Sequence, residues 1–348
     1  MRALAHLALS VGLLLACASV QAQQAPASPG DTDPVKIDLR SADPEKMKQE
    51  TIRACSIWRA LEVVGDIPVL LILEQAFLGR HRFAEFVQET GVARSVISNR
   101  LEKLVAAGVL TKLRERRAGY RLTDKGHDLF PVALMILRWQ HRWELGERGF
   151  AIDLVHQDCG QTMIPVAACD HCAEEIDPRE VTWAPGPGLS QVTPVYGRRR
   201  MQTAAAIAKR GNQTMVDSVI QLFGDRWATL VVRACFTGLH RFDEIQRDTL
   251  MASNILADRL ERLQAQGIVR AEPYSAHQDR FEYRLTEKGR DLYPVLLALL
   301  QWGDRWYADA KGPPLLLTHG RCGHTLRLQP RCSACSLALH IANTAFKR

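Results

Sequence analysis

The 348-residue sequence lacks the motifs of the common catalytic folds: it has no glycine-rich phosphate loop and no Gly-x-Ser-x-Gly nucleophile elbow. Its N-terminal apolar run, residues 3–16, is too short for a structural membrane anchor, so no membrane partner is expected for the mature protein. The excess of positive charge is small, with a formal net charge of +7. These absences argue against an enzyme, and the basic bias permits a nucleic-acid partner without establishing one.

The N-terminus has the form of a secretory signal. Arg2 precedes the apolar run, and residues 20–22 (Val-Gln-Ala) have the small-x-small form that signal peptidase cleaves. Residues 1–22 are interpreted as a signal-like segment and residues 23–46 as a disordered spacer. Two alternatives stay open. Either translation starts near Met47 and the protein is cytoplasmic and nucleoid-associated, or the signal is genuine and the protein is exported.

The rest of the sequence contains one pattern twice. Residues 65–66 (Gly-Asp) recur as 224–225 at an offset of 159, and residues 122–123 (Leu-Thr) recur as 285–286 at an offset of 163. The apolar periodicity of each copy predicts helix, helix, helix, hairpin, helix. In the first copy the predicted elements are a helix within 61–78 closed by Gly79, a short helix 82–89, a third helix 93–107, strands 109–113 and 120–122, and a long helix capped by Thr123.

This order predicts tandem winged helix-turn-helix domains, mainly α with small β-hairpin wings, each followed by a small Cys/His knuckle. A segment containing Pro-Gly-Pro-Gly and three consecutive arginines separates the copies and indicates two separately folded halves. The predicted segments are winged helix one at 47–150, knuckle one at 151–183, a linker at 184–200, winged helix two at 201–312 and knuckle two at 313–340.

The copies resemble HxlR-type transcriptional regulators over residues 50–145 and 215–308. In the first copy the resemblance is carried by residues 55–57 (CSI), 60–65 (ALEVVG), 70–73 (LLIL), 82–85 (RFAE), Ser98, 100–101 (RL) and 120–126 (YRLTDKG). It implies a dimeric repressor or activator, related to the MarR group, that binds double-stranded DNA. The first copy departs from the family with residues 67–68 (Ile-Pro), where the second keeps 226–227 (Arg-Trp).

The outer face of the third helix, the wing and the start of the second helix supply the predicted DNA contacts, with a solvated basic face as the alternative. The first-copy residues are Arg82, Arg94, Ser95, Ser98, Asn99, Arg100, Lys103, Arg114, Arg116 and Arg117, and the second-copy residues are Arg241, Ser253, Asn254, Arg259, Arg262 and Arg280. Residues 80–126 hold eleven Lys and Arg against five Asp and Glu, whereas residues 238–289 hold eight against nine. Because neutralising phosphates supplies much of the affinity, we expect the first copy to bind DNA more strongly. Of the two roles that the resemblance implies, we expect the regulator to act as a repressor.

Fusion of two copies of a dimeric module predicts an intramolecular pseudo-dimer that reads an unsymmetrical operator. A homodimer of whole chains stays open as the alternative.

A second repeated element, His-x2-Cys-x9-Cys-x2-Cys, follows each winged helix. Its predicted ligands are His156, Cys159, Cys169 and Cys172 in the first copy and His319, Cys322, Cys332 and Cys335 in the second. Three thiolates and an imidazole suit tetrahedral zinc, so we predict two structural zinc sites, one in each knuckle. A disulfide across the Cys-x2-Cys pair, favoured by export, and reduced unliganded cysteine are the alternatives.

Three further cysteines stand apart from these clusters, and Cys17 among them lies in the signal-like segment. Cys55 precedes the first helix and resembles the N-terminal cysteine that some HxlR-type proteins use as a redox or electrophile sensor, although packing is the alternative. Cys235 lies in an apolar helix and is interpreted as core.

Overall fold

A computed structural model describes residues 51–113, 118–145, 153–193, 218–274 and 280–347. The signal-like segment, the spacer, Met47 and the wing-tip residues Arg114, Arg116 and Arg117 lie outside the described residues. Within the described ranges, no helix combines the length and apolarity needed to cross a bilayer.

The first repeat forms a helical body, a hairpin and short strands. In chain order its elements are β1 (Ile52–Arg53), α1 (Ser56–Val64), α2 (Ile67–Phe77), α3 (Phe83–Thr90), α4 (Arg94–Ala106), β2 (Leu110–Leu113), β3 (Gly119–Leu122), α5 (Asp124–His127), α6 (Phe130–Gln140), β4 (Asp153–His156), β5 (Pro165–Cys169), β6 (Val181–Pro185) and β7 (Gln191–Val192).

From its first helix onward the second repeat follows the same order, and its described residues contain no counterpart of β1 or β7. Its elements are α7 (Ser218–Phe223), α8 (Arg226–Phe236), α9 (Phe242–Thr249), α10 (Ser253–Ala265), β8 (Val269–Pro273), β9 (Phe281–Leu285), α11 (Glu287–Arg290), α12 (Tyr293–Tyr307), β10 (Leu315–His319), β11 (Leu328–Cys332) and β12 (Thr344–Lys347).

Each repeat contains a winged helix-turn-helix, as the periodicity predicted. In α4, Ile97, Leu101 and Leu104 are fully buried, and the helix ends before Gly108, whose φ of +71° gives the left-handed turn that favours glycine. The strands β2 and β3 pair antiparallel, with Leu110 opposite Leu122.

Two predicted helices are divided. The first helix breaks at residues 65–66 into α1 and α2, because Gly65 accepts a close approach of the Leu61 carbonyl that a side chain would block. The last helix begins as predicted at Thr123, whose hydroxyl accepts the Gly126 N–H at 3.2 Å. That turn ends with α5, and α6 then begins with a proline in its first turn.

The two repeats pack against each other, so the expectation of two separately folded halves is wrong. Helix α1 packs along α12, and α6 packs against α12. Residues Asp66 and Asp225, which are equivalent in the two repeats, form an antiparallel backbone bridge. Apolar faces of α1, α6 and α12 would lie exposed if the halves separated, and burying them against each other is favourable.

The Cys/His region consists of residues 153–185 of the first repeat and 315–347 of the second. In it, each strand of one repeat pairs with a strand of the other. Strand β4 pairs with β12, β5 with β11, and β6 with β10. Ala167 faces Pro330 in the β5–β11 pair, and these two residues are equivalent at the offset of 163. The strands therefore follow a pseudo-two-fold arrangement, in which each repeat completes the other.

The predicted linker is also structured where it is described. Residues 184–185 belong to β6, and β7 pairs with β1 so that Val192 faces Ile52. Gly186 and Gly188 lie against the backbone of residues 312–314, where a side chain would clash, which explains the Pro-Gly-Pro-Gly composition.

Candidate DNA-binding surface and Cys/His clusters

The outer face of α4 carries polar side chains at the surface. Arg94, Ser95 and Asn99 are exposed, and Ser98 is half-buried. The Arg94 guanidinium lies 5.1 Å from the centroid of the Phe83 ring, which positions it at the start of the helix. In a winged helix-turn-helix this face enters the major groove. The fold thus presents these four predicted residues outward, while their contact with DNA stays a prediction.

The third helix of each winged helix, α4 in the first repeat and α10 in the second, is the recognition helix. Near the middle of each, one arginine forms an ion pair within the protein. Arg100 Nε donates to Asp66 Oδ2 at 2.9 Å, and the Asp66 side chain is 8% exposed. In the second repeat Arg259 forms ion pairs with Asp225 and Asp258, and its side chain is 9% exposed. The Arg259 guanidinium is therefore held by a carboxylate at the start of α8, and its contact with DNA stays a prediction. Arg100 is engaged in the corresponding ion pair.

The other first-repeat candidates differ in exposure. Lys103 is half-buried, and its ammonium group donates to the Glu62 carbonyl at 2.5 Å. Arg82 is exposed at the start of α3. There the Glu85 carboxylate accepts the backbone N–H groups of Arg82 and His81, at 2.8 and 2.9 Å, and these bonds lower the pKa of Glu85. Arg82 is thus presented at a capped helix start.

Acidic groups accompany the exposed residues of the second recognition helix, α10. Ser253 and Asn254 are exposed at its start. Arg262 is exposed, but its guanidinium lies 3.1 Å from Asp258. Asp258 stands where the first repeat has Asn99, so this face combines positive and negative charge.

The second wing, which is the β8–β9 hairpin, also combines positive and negative charge. Arg280 is exposed beside the start of β9. The Glu272 carboxylate accepts from Arg270 Nε at 2.5 Å, a bond that lowers the pKa of Glu272, and it lies 3.3 Å from Arg284. Arg241 lies 3.4 Å from Glu282. Most described arginines of this wing therefore already have acidic neighbours.

The eight predicted metal ligands form two clusters, each built from both repeats. One cluster contains His156, Cys159, Cys332 and Cys335, and the other contains Cys169, Cys172, His319 and Cys322. The ligand atoms of each cluster lie within 4.8 Å of one another. The expectation of one self-contained knuckle per repeat is therefore wrong. The strand exchange explains the difference, because it brings the His-x2-Cys half of each repeat to the Cys-x2-Cys half of the other.

Distances within the clusters suit a tetrahedral metal site. His156 Nδ1 lies 3.4 Å from Cys159 Sγ and 3.2 Å from Cys335 Sγ, and the Cys159 and Cys332 sulfurs are 3.9 Å apart. His319 Nδ1 lies 3.4 Å from each of two sulfurs in the other cluster. Zinc bonds of about 2.0 to 2.3 Å would separate tetrahedral ligand atoms by about 3.5 to 3.8 Å, whereas a disulfide needs about 2.05 Å. The two clusters could therefore each hold a metal ion.

The backbone around Cys159 favours its thiolate. Gly160 and Gly323 have φ of +70°, as expected for a glycine that turns the chain after a ligand cysteine. The backbone N–H of Gln161 donates to Cys159 Sγ and, with the neighbouring His156 and thiol groups, lowers the pKa of Cys159 to about 7. The deprotonated form that binds metal is thus accessible near neutral pH.

The surroundings of the two histidines differ, a feature that the sequence reasoning missed. His156 Nε2 is buried and lies 3.1 Å from Asp158 Oδ2, although the groups are not aligned as a standard hydrogen bond. The equivalent position in the other cluster is Arg321, which is ion-paired with Glu180 at 2.5 Å. An acidic residue two positions after a ligand histidine was the available signal.

Two cysteines outside the clusters lie within the described residues, and their environments differ. Cys55 is half-buried immediately before α1, and its role as a sensor stays a prediction. Cys235 is buried in α8, and burial raises the pKa of its thiol to about 12. The interpretation of Cys235 as core agrees with this burial.

The paired recognition helices, the hairpin wings and the exposed polar face of α4 define a helix-turn-helix transcriptional regulator. A profile of the HxlR-like helix-turn-helix family matches residues 63–147 and 222–311, which together make up about half of the sequence. The chain belongs to this family and contains two copies of its DNA-binding domain.

Relatives of the chain match it over part of its length. The HTH-type transcriptional regulator Rv3095 of Mycobacterium tuberculosis is 39% identical over 138 residues, which are 38% of this chain and 87% of that protein. YvaP of Bacillus subtilis, also described as an HTH-type transcriptional regulator, is 30% identical over 91 residues, which are 26% of this chain and 84% of that protein. The crystal structure of PA1607, described as a candidate transcription factor, has 37% sequence identity, covers 37% of this chain and 90% of that one, and has a TM-score of 0.34.

Proposed function

We propose that this regulator represses transcription by binding double-stranded DNA mainly through its first repeat. One observation carries the proposal: Asn99 is exposed on α4, whereas the equivalent Asp258 places a carboxylate on α10. A carboxylate at this position repels the DNA phosphates. Unlike the amide of Asn99, it also cannot donate a hydrogen bond to a base. The surplus of basic residues in 80–126 over those in 238–289 acts in the same direction.

The wings provide the test of unequal binding. We compare Arg116→Ala/Arg117→Ala with Arg280→Ala in electrophoretic shift titrations on one duplex over a series of salt concentrations. If both first-wing arginines contact phosphates, the double variant lowers the slope of log K against log salt by about 1.8, and Arg280→Ala lowers it by less than about 0.9. Arg179→Ala removes an exposed charge near the Cys/His region and serves as the control. Equal losses per arginine in the two wings would contradict the asymmetry.

The sign of regulation requires a separate measurement. Repression is tested with a reporter gene driven by the operator that duplex selection identifies. Reporter output should rise when the regulator is deleted. A fall would show that it activates.

The packing of the two repeats favours an intramolecular pseudo-dimer that reads an unsymmetrical operator. The equivalent residues Asp66 and Asp225 meet at a backbone bridge, as identical residues do at the axis of a symmetric dimer. A footprint should show two unequal half-sites occupied by one chain, with light scattering giving the mass of a single chain on the duplex. Two chains on each operator would overturn this assembly.

We infer that zinc is the ion that the clusters hold, in a structural role. Three thiolates and one imidazole select zinc over calcium or magnesium, and four protein ligands leave no open position for substrate. Elemental analysis of protein purified under reducing conditions should give two zinc ions per chain. A metal-free, folded protein would refute the assignment.

DNA binding requires the protein in the cytoplasm, so we propose a start near Met47. Mass spectrometry of the native N-terminus tests this. A mature chain that begins at Gln23 would favour the alternative of an exported structural or interaction protein, whose knuckles could be held by disulfides.

A further inference from the structure

The most unusual feature of the Cys/His region is that no cluster can be completed by one repeat. In the first cluster His156 and Cys159 come from the first repeat, and Cys332 and Cys335 come from the second. The second cluster has the reverse composition. A single repeat therefore offers each ion two ligands, and two docked repeats offer it four.

We propose that each of the two metal ions links the repeats through ligands from both, so that zinc binding and the docking of the repeats are one coupled equilibrium. The regulator is then assembled in its paired form by zinc. This inference rests on the proposed zinc, but its central test measures which residues share an ion and does not depend on DNA binding.

The strand pairs that hold the clusters are short, and their buried side chains belong to a core that they share with the helices. The strands β4 and β12 have four residues each, and β5 and β11 have five each. Units of this size need a staple or a metal to fold stably. Because the metal is bound by the docked form and offered only half a site by the undocked form, its binding free energy stabilises docking.

The Cys/His region also lies directly on the helices that join the repeats. Strands β5 and β11 pack on α6, and β11 also packs on α12. Trp139 of α6 and Trp302 of α12 are buried and donate hydrogen bonds to the opposite repeat, at 3.0 and 2.9 Å. Loosening the strand pairs therefore removes support from the helices on which the docking of the repeats depends.

Crossed double variants distinguish shared clusters from separate knuckles. Cys159→Ser/Cys335→Ser removes two ligands from one cluster, although they belong to different repeats, and should leave one zinc per chain. Cys159→Ser/Cys169→Ser removes two ligands from one repeat, but one from each cluster, and should leave almost none. Self-contained knuckles give the opposite pattern, so that pattern, or equal zinc contents in folded variants, would overturn the proposal.

A measurement on the unaltered chain covers the case in which a variant fails to fold. When a short bifunctional thiol reagent is already present as a chelator removes the metal, it should trap Cys159 with Cys332, whose sulfurs are 3.9 Å apart, before the repeats separate, and peptide mapping by mass spectrometry identifies the pair. A predominant Cys159–Cys169 product would overturn the shared arrangement.

The coupling between zinc binding and docking of the repeats is measured by tryptophan circular dichroism. Near-ultraviolet circular dichroism follows the packing of the tryptophans, Trp139 and Trp302 among them, during thermal unfolding with and without a zinc chelator. Chelation should lower the midpoint of this transition by about 10 °C or more, since four-ligand zinc binding is strong. An unchanged midpoint, with metal removal verified by elemental analysis, would show that docking is independent of zinc and would overturn the coupling.

Discussion

Trp139 donates its indole N–H to the backbone carbonyl of Lys288 at 3.0 Å, and this bond links the two repeats. The equivalent Trp302 makes the reciprocal bond to the Lys125 carbonyl at 2.9 Å. Each lysine ammonium also lies over the ring of the tryptophan that binds its carbonyl, at 5.1 Å for Lys288 and 5.8 Å for Lys125. Reciprocal contacts of this kind are the mark of an isologous dimer interface, here formed within one chain.

We expect Trp139→Phe to destabilise the protein by about 2 kcal/mol, because it keeps most of the buried ring but leaves the Lys288 carbonyl without its donor. Urea unfolding measures the change. Trp306→Phe is the matched control, since its indole N–H donates to the half-exposed Asp128 carboxylate, which water can solvate instead. Equal losses in the two variants would show that the Trp139 hydrogen bond has no special contribution.

Asp304 gives the α1–α12 contact a pH dependence. Its carboxylate accepts the Ser56 hydroxyl at 2.5 Å, and desolvation raises its pKa to about 6. The folded protein therefore binds this proton more tightly than the unfolded chain, so the stabilisation is complete below about pH 4 and is lost as the pH rises through about 6.

Asp304→Asn should consequently stabilise the protein at pH 7.5 by about 1 kcal/mol, a value reduced to allow for solvent screening of this partly exposed group. The gain should vanish near pH 4. Chemical unfolding at both pH values measures it, with Glu261→Gln on the exposed face of α10 as the control. A gain that is the same at both pH values would contradict the raised pKa.

Local signals predicted most of each winged helix. The apolar spacing of Ile97, Leu101 and Leu104 located the buried face of the recognition helix, and Thr123 marked a helix start. These features depend on residues close in sequence, and the repeat gave two independent instances of each.

The errors and omissions arose where the partner lies far away in sequence. The spacing of the ligand residues is the same whether a cluster closes within one repeat or between two, so only the β5–β11 pairing decides between them. The sequence does not distinguish Arg259 from an arginine whose side chain points into solvent. Its ion pair with Asp225, which is distant in sequence, is what holds Arg259 inside the fold. A signal was available in the repeat, because Asp66 and Arg100 recur together as Asp225 and Arg259. An ion pair conserved between the two copies would explain that joint recurrence.

Arg94 and Arg100 should respond differently to truncation. Arg94→Ala is expected to weaken operator binding by about tenfold with little change in stability, because its side chain is exposed. Arg100→Ala should destabilise the fold by about 2 to 3 kcal/mol, because it leaves the buried Asp66 carboxylate unpaired.

Shift titrations and thermal unfolding of both variants separate these effects. Asp66→Asn/Arg100→Ala is the control, and it should recover part of the stability because the amide has no charge to leave unpaired. If Arg100→Ala loses affinity and keeps full stability, Arg100 contacts DNA after all and its ion pair with Asp66 opens on binding.

Asp158 distinguishes the two Cys/His clusters, because its carboxylate lies 3.1 Å from the His156 atom that faces away from the sulfurs. A carboxylate on the outer nitrogen of a ligand histidine orients the ring and increases its basicity, and loss of such a partner costs about 10- to 100-fold in metal affinity. Asp158→Asn should therefore weaken zinc binding at the His156 cluster and leave the His319 cluster unchanged. Competition against a chromophoric chelator would show one of two ions released earlier than in the parent protein. Arg321→Ala changes the equivalent position beside His319 and is the matched control, since Arg321 pairs with Glu180 and Glu174. If Asp158→Asn releases both ions together, or neither earlier, the carboxylate does not support His156.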